Sequence, residues 1–237
     1  MTAIEAVIFD WGGTLTPWHT IDFDDVWRSY AGVYAPERAD ELTRDLMAAE
    51  REAWCQARDH QRSGTLDDLF TSVGVTPSGA RHEQALAAYQ KFWEPHTYLD
   101  PDARTLLTEL RDRGVRLGVL SNTLWSKDFH DEVFRRDQVL ELFDGAIYSS
   151  EIPWTKPHPE AFAAALKAVG NADPAAAVFV GDRLYDDIYG AQQVGMRAIH
   201  VPNSDIPDEQ RGHSEGVPDA TVRRLTDIIA VLDRWRV

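Results

Sequence analysis

Short apolar runs alternate along the chain with stretches in which apolar residues recur every three or four positions. The runs predict β-strands at five places, namely 6–10, 115–121, 145–149, 177–181 and 197–201. The wider spacing predicts amphipathic helices between most of these strands. Strands that alternate with helices form a mainly parallel sheet with helices on both faces, so the pattern predicts an α/β fold.

One predicted helix carries clear start and stop signals just before the second strand. Asp100 can cap it, Pro101 suits its first helical position, and Gly114 ends it. Its apolar positions form a single stripe, which consists of Ala103, Leu106, Leu107 and Leu110. This stripe predicts that one face of the helix is buried.

The segment between the first and second strands contains almost no strand signal, and we predict that it is helical throughout. Pro36 opens a long helical stretch, and Thr65 and Asp68 have the spacing of a capping box. A last helical pattern is carried by Ala85, Leu86, Tyr89, Phe92 and Trp93. The predicted organisation is a small all-helical domain, residues 17–96, inserted into a core made of residues 1–16 and 97–237.

Composition limits the partners of this chain of 237 residues. Its hydrophobic content of 43% is enough for one sizeable core and a smaller unit. Its formal net charge of −15 argues against binding to nucleic acid or to an anionic membrane surface. The single cysteine, Cys55, cannot form an internal disulfide, and no signal peptide or membrane span fits the sequence. We therefore predict a cytoplasmic location, while nothing predicts the oligomeric state.

A carboxylate stands at the end of the first predicted strand. Asp10 closes this apolar run and is followed by Trp11 and the glycine pair Gly12 and Gly13. An open α/β sheet binds its ligands at the carboxyl ends of its strands. A carboxylate in this place can act as a nucleophile, as a magnesium ligand, or as both.

Polar residues also follow the later strands. The second strand ends at Ser121 and Asn122, and Lys156 precedes a helix that begins at a proline. The fourth strand ends at Asp182, and two more acids follow it, Asp186 and Asp187. These groups predict a charged site at one edge of the sheet.

The segments that carry Asp10, Ser121, Lys156 and Asp182 resemble, in this order, motifs I to IV of the haloacid dehalogenase superfamily. The resemblance extends over residues 4 to about 201. The resemblance implies a Rossmann-like three-layer core with a mainly parallel sheet, and a helical cap of the C1 type for the insert. Motif I of the family is usually written D-x-D-G-T, with Asp10 here at the position of the nucleophile. Gly12 stands where the family has its second Asp.

The resemblance, together with charge, implies a Mg²⁺ site. A phosphate ester that approaches Asp10 brings negative charge toward a carboxylate, so a cation has to lie between them. Mg²⁺ suits an all-oxygen site. The implied ligands are the carboxylates of Asp10 and Asp182 and the main-chain carbonyl of Gly12, while Asp187 holds a metal-bound water or orients Lys156.

The resemblance also implies how a phosphoryl group is held. Lys156 and the Ser121 hydroxyl would contact its oxygens, beside Asn122. Backbone amides after Asp10 would complete the cradle, which assigns substrate binding to Trp11, Gly12 and Thr14. These assignments predict a Mg²⁺-dependent phosphatase of a small phosphorylated metabolite that works through an aspartyl-phosphate intermediate, with Asp10 and Lys156 as catalytic residues.

Gly12 leaves alternatives open, because in typical phosphatases of the family the second Asp is the general acid and base. The protein could hydrolyse esters with acidic leaving groups, or take the proton from another group. It could instead be a 2-haloacid dehalogenase with a cap arginine, for which Arg28, Arg51 and Arg62 are available, or a weak catalyst that binds a phosphorylated ligand. A phosphonatase ranks third, since Lys91, the only lysine of the insert, does not match the family's Schiff-base position.

Four tryptophans fall within a few residues of the four motifs. They are Trp11, Trp18, Trp125 and Trp154, and they predict either an aromatic wall for the substrate or a tightly packed hinge of the insert. From the insert, His19, His60 and Arg62 are candidate contributors to the site. His158 is predicted to be structural.

Overall fold

A computed structural model of the protein describes residues 3–202 and 215–235. Within these residues, one six-stranded sheet has the order β3-β2-β1-β4-β5-β6, and all neighbouring strands are parallel. The strands are β1 (Ala6–Phe9), β2 (Arg116–Ser121), β3 (Gly145–Tyr148), β4 (Ala177–Gly181), β5 (Arg197–His200) and β6 (Ala220–Thr221). The five predicted strands are confirmed, and β6, with two residues, is too short to give a sequence signal.

Helices cover both faces of this sheet, as its buried strands require. Alternate residues of β1 belong to different layers, because Val7 and Phe9 join the cluster that contains the leucines of α5, whereas Ala6 and Ile8 join the cluster around Phe162 of α7. The helices of the core are α5 (Ala103–Asp112), α6 (Lys127–Arg136), α7 (Pro159–Ala168), α8 (Gly190–Gln193) and α9 (Ile228–Trp235). The predicted three-layer, Rossmann-like α/β core is confirmed.

The apolar stripe of α5 is buried as predicted, but the predicted start of this helix is wrong. The helix begins at Ala103, so Pro101 lies before its first turn. Asp100 lies one turn earlier than the helix start, and its Oδ1 accepts a hydrogen bond from the amide of Asp102 at 2.8 Å. The Asp-Pro-Asp sequence thus forms a turn that leads into the helix.

The segment between β1 and α5 contains four α-helices, called the inserted helices below: α1 (Phe23–Tyr34), α2 (Ala39–His60), α3 (Leu66–Ser72) and α4 (Ala80–Trp93). The capping box of Thr65 and Asp68 is confirmed at the start of α3. Aromatic rings pack these helices together, with Trp27 of α1 5.0 Å from Tyr89 of α4 and Tyr30 4.5 Å from Phe70 of α3, measured between ring centroids. The division of the chain into two domains at residues 17 and 96 stays a prediction. None of the helices in the described residues has the length and apolar character needed to cross a membrane.

Candidate active site

The register of the sheet brings the predicted site residues to one edge. Phe9 of β1 is paired with Val119 of β2 and with Val180 of β4, so these three strands end side by side. Asp10 follows β1, Ser121 is the last residue of β2, and Asp182 follows β4. Each of these three side chains is buried.

Lys156 lies at the centre of this edge. Its Nζ donates a hydrogen bond to Oδ1 of Asp10 at 2.6 Å and another to Oδ1 of Asp187 at 2.7 Å. Lys156 is only 3% exposed, and an ammonium group is not buried at such a place without anionic partners. The structure thus brings Lys156 together with Asp10 and Asp187, while the catalytic roles assigned to these residues stay predictions.

Asn122 fixes the backbone on either side of that lysine. Its Oδ1 accepts from the Lys156 amide at 2.8 Å, and its Nδ2 donates to the Lys156 carbonyl at 3.0 Å. The loop after β2 is thereby tied to the loop that carries the lysine. Asn122 also lines the cavity above Asp10, so it can contact a ligand as predicted.

Asp187 is held in a short π-helical turn, Leu184–Tyr189, that follows β4. Its Oδ2 accepts a hydrogen bond from the amide of Arg183 at 2.9 Å. The turn passes so close to the strand that a Cβ at position 181 would lie 2.3 Å from the carboxylate of Asp187. Gly181 is therefore required for Asp187 to reach Lys156.

Three carboxylates of this site could hold one metal ion. Asp10, Asp182 and Asp187 each place an oxygen within 4.8 Å of the others, and all three are buried. With Asp186, four carboxyl groups face two cationic side chains, those of Lys156 and Arg183, so a divalent cation would offset the excess negative charge. The donor set consists of oxygens only, which fits Mg²⁺. The carbonyl of Gly12 as a further ligand stays a prediction.

The electrostatics of the site follow from burial. Burial raises the pKa of Asp10, a change that a bound divalent cation would oppose. Burial works against the charge of Lys156, but attraction by Asp10 and Asp187 raises its pKa above the ordinary value, so the ammonium stays charged. Burial also raises the pKa of Asp186 to about 6, although Arg183 opposes the shift.

The loop after Asp10 uses part of the predicted amide cradle for its own turn. The amide of Gly13 donates to the carbonyl of Thr16 at 2.7 Å, and the amide of Thr14 donates to the carbonyl of Trp11 at 3.3 Å. We therefore limit the proposed cradle to the amides of Trp11 and Gly12. Thr14 is buried beside the nucleophile position, with its hydroxyl 3.5 Å from Oδ2 of Asp10, and we reassign it to orienting that carboxylate.

The two glycines of this loop differ in their constraints. Gly13 has a φ of 90°, which strongly favours glycine. At Gly12, no described atom lies within 4 Å of an ideal Cβ, and the backbone is outside the left-handed region. The structure would thus accept a side chain at position 12, so the turn does not require glycine there. The absence of the motif I carboxylate is therefore a difference in the chemistry of the site.

A cavity of about 120 Å³ opens above Asp10 between the sheet edge and the inserted helices. The motif residues that line it are Asp10, Trp11, Gly12, Ser121, Asn122 and Lys156. From the inserted helices it is lined by Glu50, Trp54, Tyr89 and Trp93, which sequence reasoning did not identify as site residues. The sequence pattern places Tyr89 and Trp93 in a helix and gives no signal for Glu50 or Trp54, because their place in the cavity depends on how the helices pack.

The four predicted tryptophans separate into two roles. Trp11, Trp18 and Trp125 line the cavity, whereas Trp154 stacks on His158 at 3.9 Å between ring centroids. The guanidinium of Arg62 lies 4.3 Å above the Trp154 ring, which joins the end of α2 to the core. The two predicted roles, an aromatic wall for the substrate and a packed hinge of the insert, stay predictions.

The remaining candidate residues differ in whether they line the cavity. His19 lines the cavity and its Nδ1 lies 2.9 Å from Nδ1 of His96. His158 caps α7 through a hydrogen bond from the Glu160 amide, which confirms its structural role. Lys91 and His60 are exposed and do not line the cavity.

Comparison with known proteins identifies the family. The model of the haloacid dehalogenase-like hydrolases matches residues 4–195. The chain belongs to this family. It is 28% identical over 235 residues to glyceraldehyde 3-phosphate phosphatase of Methanopyrus kandleri, in an alignment that covers 97% of each protein.

Two solved structures of haloacid dehalogenase-like proteins extend this likeness to the whole fold. A phosphatase of the family from Thermococcus onnurineus has a TM-score of 0.68 at 24% identity and covers 97% of this chain and 98% of its own. A 2-haloacid dehalogenase from Pseudomonas syringae has a TM-score of 0.62 at 25% identity, with coverage of 98% and 99%. The fold therefore occurs in both chemical classes, and the distinction between them depends on the site.

Proposed function

We propose that this haloacid dehalogenase-like hydrolase is a Mg²⁺-dependent phosphatase of a small phosphorylated metabolite. The observation that carries the proposal is the buried Lys156, which bridges Asp10 and Asp187 beside Asp182. This arrangement combines a nucleophile, a cation for phosphoryl oxygens and an acidic metal site. The relative from Methanopyrus kandleri, named as a phosphatase of a phosphorylated metabolite, supports the same class.

The chemistry follows from the positions of these groups. An Asp10 carboxylate oxygen attacks phosphorus, and the bond from phosphorus to the substrate's ester oxygen breaks. With no acid at position 12, the leaving oxygen takes its proton from water and departs as the alcohol. A water then attacks the phosphorus of the aspartyl-phosphate, which releases inorganic phosphate and restores Asp10. Lys156 and Ser121 hold the phosphoryl oxygens during both steps. When bound, Mg²⁺ would neutralise the charge that develops on the transferred group.

Proton transfer is the unusual part of this mechanism, because Gly12 has no side chain to donate or accept a proton. General acid or base catalysis contributes about 10²–10⁴-fold to a rate. We therefore propose that the enzyme hydrolyses alkyl phosphates slowly and prefers esters whose alcohol is acidic. The same empty position provides room in the cavity for the leaving group.

A dehalogenase is the second candidate, since the fold also occurs in that class. Such an enzyme is expected to bind the carboxylate of a 2-haloacid through an arginine of the insert. Arg28 is exposed and bonded to Asp24 and Asp40, and neither Arg51 nor Arg62 lines the cavity. The inserted helices contribute the acid Glu50 to the cavity, which would repel a carboxylate. These contacts favour the phosphatase.

Parallel assays test the proposal on the purified protein. A panel of phosphate monoesters, with Mg²⁺ and with excess chelator, is compared with a panel of 2-haloacids. We expect phosphate release that needs the metal and no halide release. Metal-independent halide release would overturn the proposal. Action on a metabolite within the cytoplasm, with no nucleic-acid or membrane partner, stays a prediction from composition.

A further inference from the structure

Glu50 is a buried acid in the cavity that the proposed mechanism does not use. It lies on α2, it is 9% exposed, and its Oε2 accepts a hydrogen bond from Nε1 of Trp27 at 2.8 Å. Among the described residues, it has no salt-bridge partner. A carboxyl group in this state carries a large cost of burial when it is ionised. A cationic ligand would reduce that cost.

Aromatic rings surround the part of the cavity that Glu50 lines. Trp54, Tyr89 and Trp93 line it from the inserted helices, and Trp125 lines it from the core. The Trp93 and Trp125 rings lie 5.1 Å apart between centroids, and Nε1 of Trp125 donates to the Tyr89 hydroxyl at 3.0 Å. Ring faces beside a carboxylate attract cations through their negative π surface.

Glu50 and the nucleophile lie on different walls of the same cavity, Glu50 on α2 and Asp10 at the end of β1. A series of ring contacts separates the two, from Trp11 to Trp125 at 5.5 Å, from Trp125 to Tyr89 at 6.4 Å, and from Tyr89 to Trp27 at 5.0 Å. Glu50 is hydrogen-bonded to the last of these rings, and Asp10 adjoins the first. Its position therefore suits recognition of the far end of a substrate whose phosphate lies at Asp10.

We propose that Glu50 and the rings of Trp54, Trp93 and Trp125 select phosphate monoesters whose alcohol carries an ammonium group. This inference rests on the proposed phosphatase function, because it assigns the phosphate to the Asp10 wall of the cavity. The two walls then match a substrate with an anion at one end and a cation at the other. Burial raises the pKa of Glu50 to about 7, and a bound ammonium would favour the ionised carboxylate there.

A matched pair of substrates tests this selectivity. 2-Aminoethyl phosphate and propyl phosphate have nearly the same shape, and the first carries an ammonium group where the second has a methyl group. We expect kcat/KM for the amine to exceed that for propyl phosphate by about tenfold or more, as for a desolvated charge pair. Glu50→Gln should lower kcat/KM for the amine far more than kcat/KM for propyl phosphate, so that most of this preference is lost. Glu52→Gln, an exposed acid on the same helix, is the control and should keep the preference.

Three results would overturn the inference while the phosphatase proposal stands. They are equal rates on the two substrates, a preference that survives Glu50→Gln, and an equal loss on both substrates in that variant. The last result would mean that Glu50 acts on the reaction itself. If neither compound is hydrolysed by the unaltered protein, tryptophan fluorescence decides the matter. A saturable response to the amine that is absent with propyl phosphate and in Glu50→Gln would support the inference, and a flat response would overturn it.

Discussion

The side chain of Asn122 forms two hydrogen bonds with the backbone of Lys156, one to its amide at 2.8 Å and one to its carbonyl at 3.0 Å. This contact sets the direction of the lysine side chain, which then reaches both Asp10 and Asp187. Asn122 thus connects the loop after β2 with the charged centre of the site. Its importance for catalysis follows from the position of the lysine, even without a contact to substrate.

Replacing Asn122 with Ala should lower kcat/KM by roughly 10²-fold, because a misplacement of about 1 Å in a catalytic group has this effect. Asn122→Asp keeps the acceptor for the Lys156 amide and loses the donor to its carbonyl, so its activity should be intermediate. Steady-state kinetics on one phosphate ester measures both variants. Full activity in Asn122→Ala would show that the lysine is positioned without this contact.

Asp10→Asn should abolish turnover, since an amide cannot attack phosphorus in place of a carboxylate. Activity should fall to less than about one thousandth of the unaltered protein. The fold should be retained, because Lys156 keeps its hydrogen bond to Asp187. Phosphate release and circular dichroism are measured on the same preparation. Activity of a few per cent in a folded variant would remove Asp10 from the nucleophile's role.

The catalytic residues could be predicted from the sequence because apolar runs show where the strands end. Asp10 and Asp182 directly follow apolar runs, and parallel strands bring such ends together. The place of Lys156 follows from the order of the motifs. The resemblance leaves two roles open for Asp187, and the structure shows its contact with Lys156, which the close turn at Gly181 permits. Helix α1 was not singled out, although Asp22 caps it and its buried residues have helical spacing.

The wall of the cavity that Glu50 lines could not be predicted in this way. Glu50 lies in α2 among charged residues such as Arg51 and Glu52, and these two are exposed. Helical periodicity indicates which residues share a face, but it does not specify what covers that face. The burial of Glu50 follows from the packing of α1 on α2, which places Trp27 against its carboxylate.

Glu50 should also make the stability of the protein depend on pH. Its pKa rises from an ordinary value of 4.5 in the unfolded chain to about 7 in the folded protein. As pH rises from 4.5 to 7, the unfolded state loses this proton while the folded state keeps it, so the free energy of unfolding falls. The total loss is at most roughly 3.5 kcal/mol above pH 7, from about 1.4 kcal/mol for each pKa unit.

Glu50→Gln should therefore be more stable than the unaltered protein at pH 8, and this difference should shrink toward pH 4.5. Urea unfolding at several pH values measures the free energy of unfolding of both proteins. Comparison between them cancels the other titrating groups, and exposed Glu52→Gln controls for the change in net charge. A difference that does not vary with pH would mean that Glu50 titrates normally in the folded protein.

Gly12→Asp tests directly what the departure from motif I does. The variant should fold normally, because no described atom lies within 4 Å of an ideal Cβ at this position and the backbone is not left-handed. If the missing acid and base limits a phosphatase, turnover of alkyl phosphates should rise by about 10–100-fold, while aryl phosphates, whose leaving groups need no proton, should change little. Gly13→Asp is the contrasting variant, since its φ of 90° should make it destabilising. Rates on both ester types, with thermal unfolding of each variant, separate chemistry from folding. An unchanged alkyl rate in a stable Gly12→Asp protein would mean that another group already supplies the proton, and the proposed preference for acidic leaving groups would be wrong.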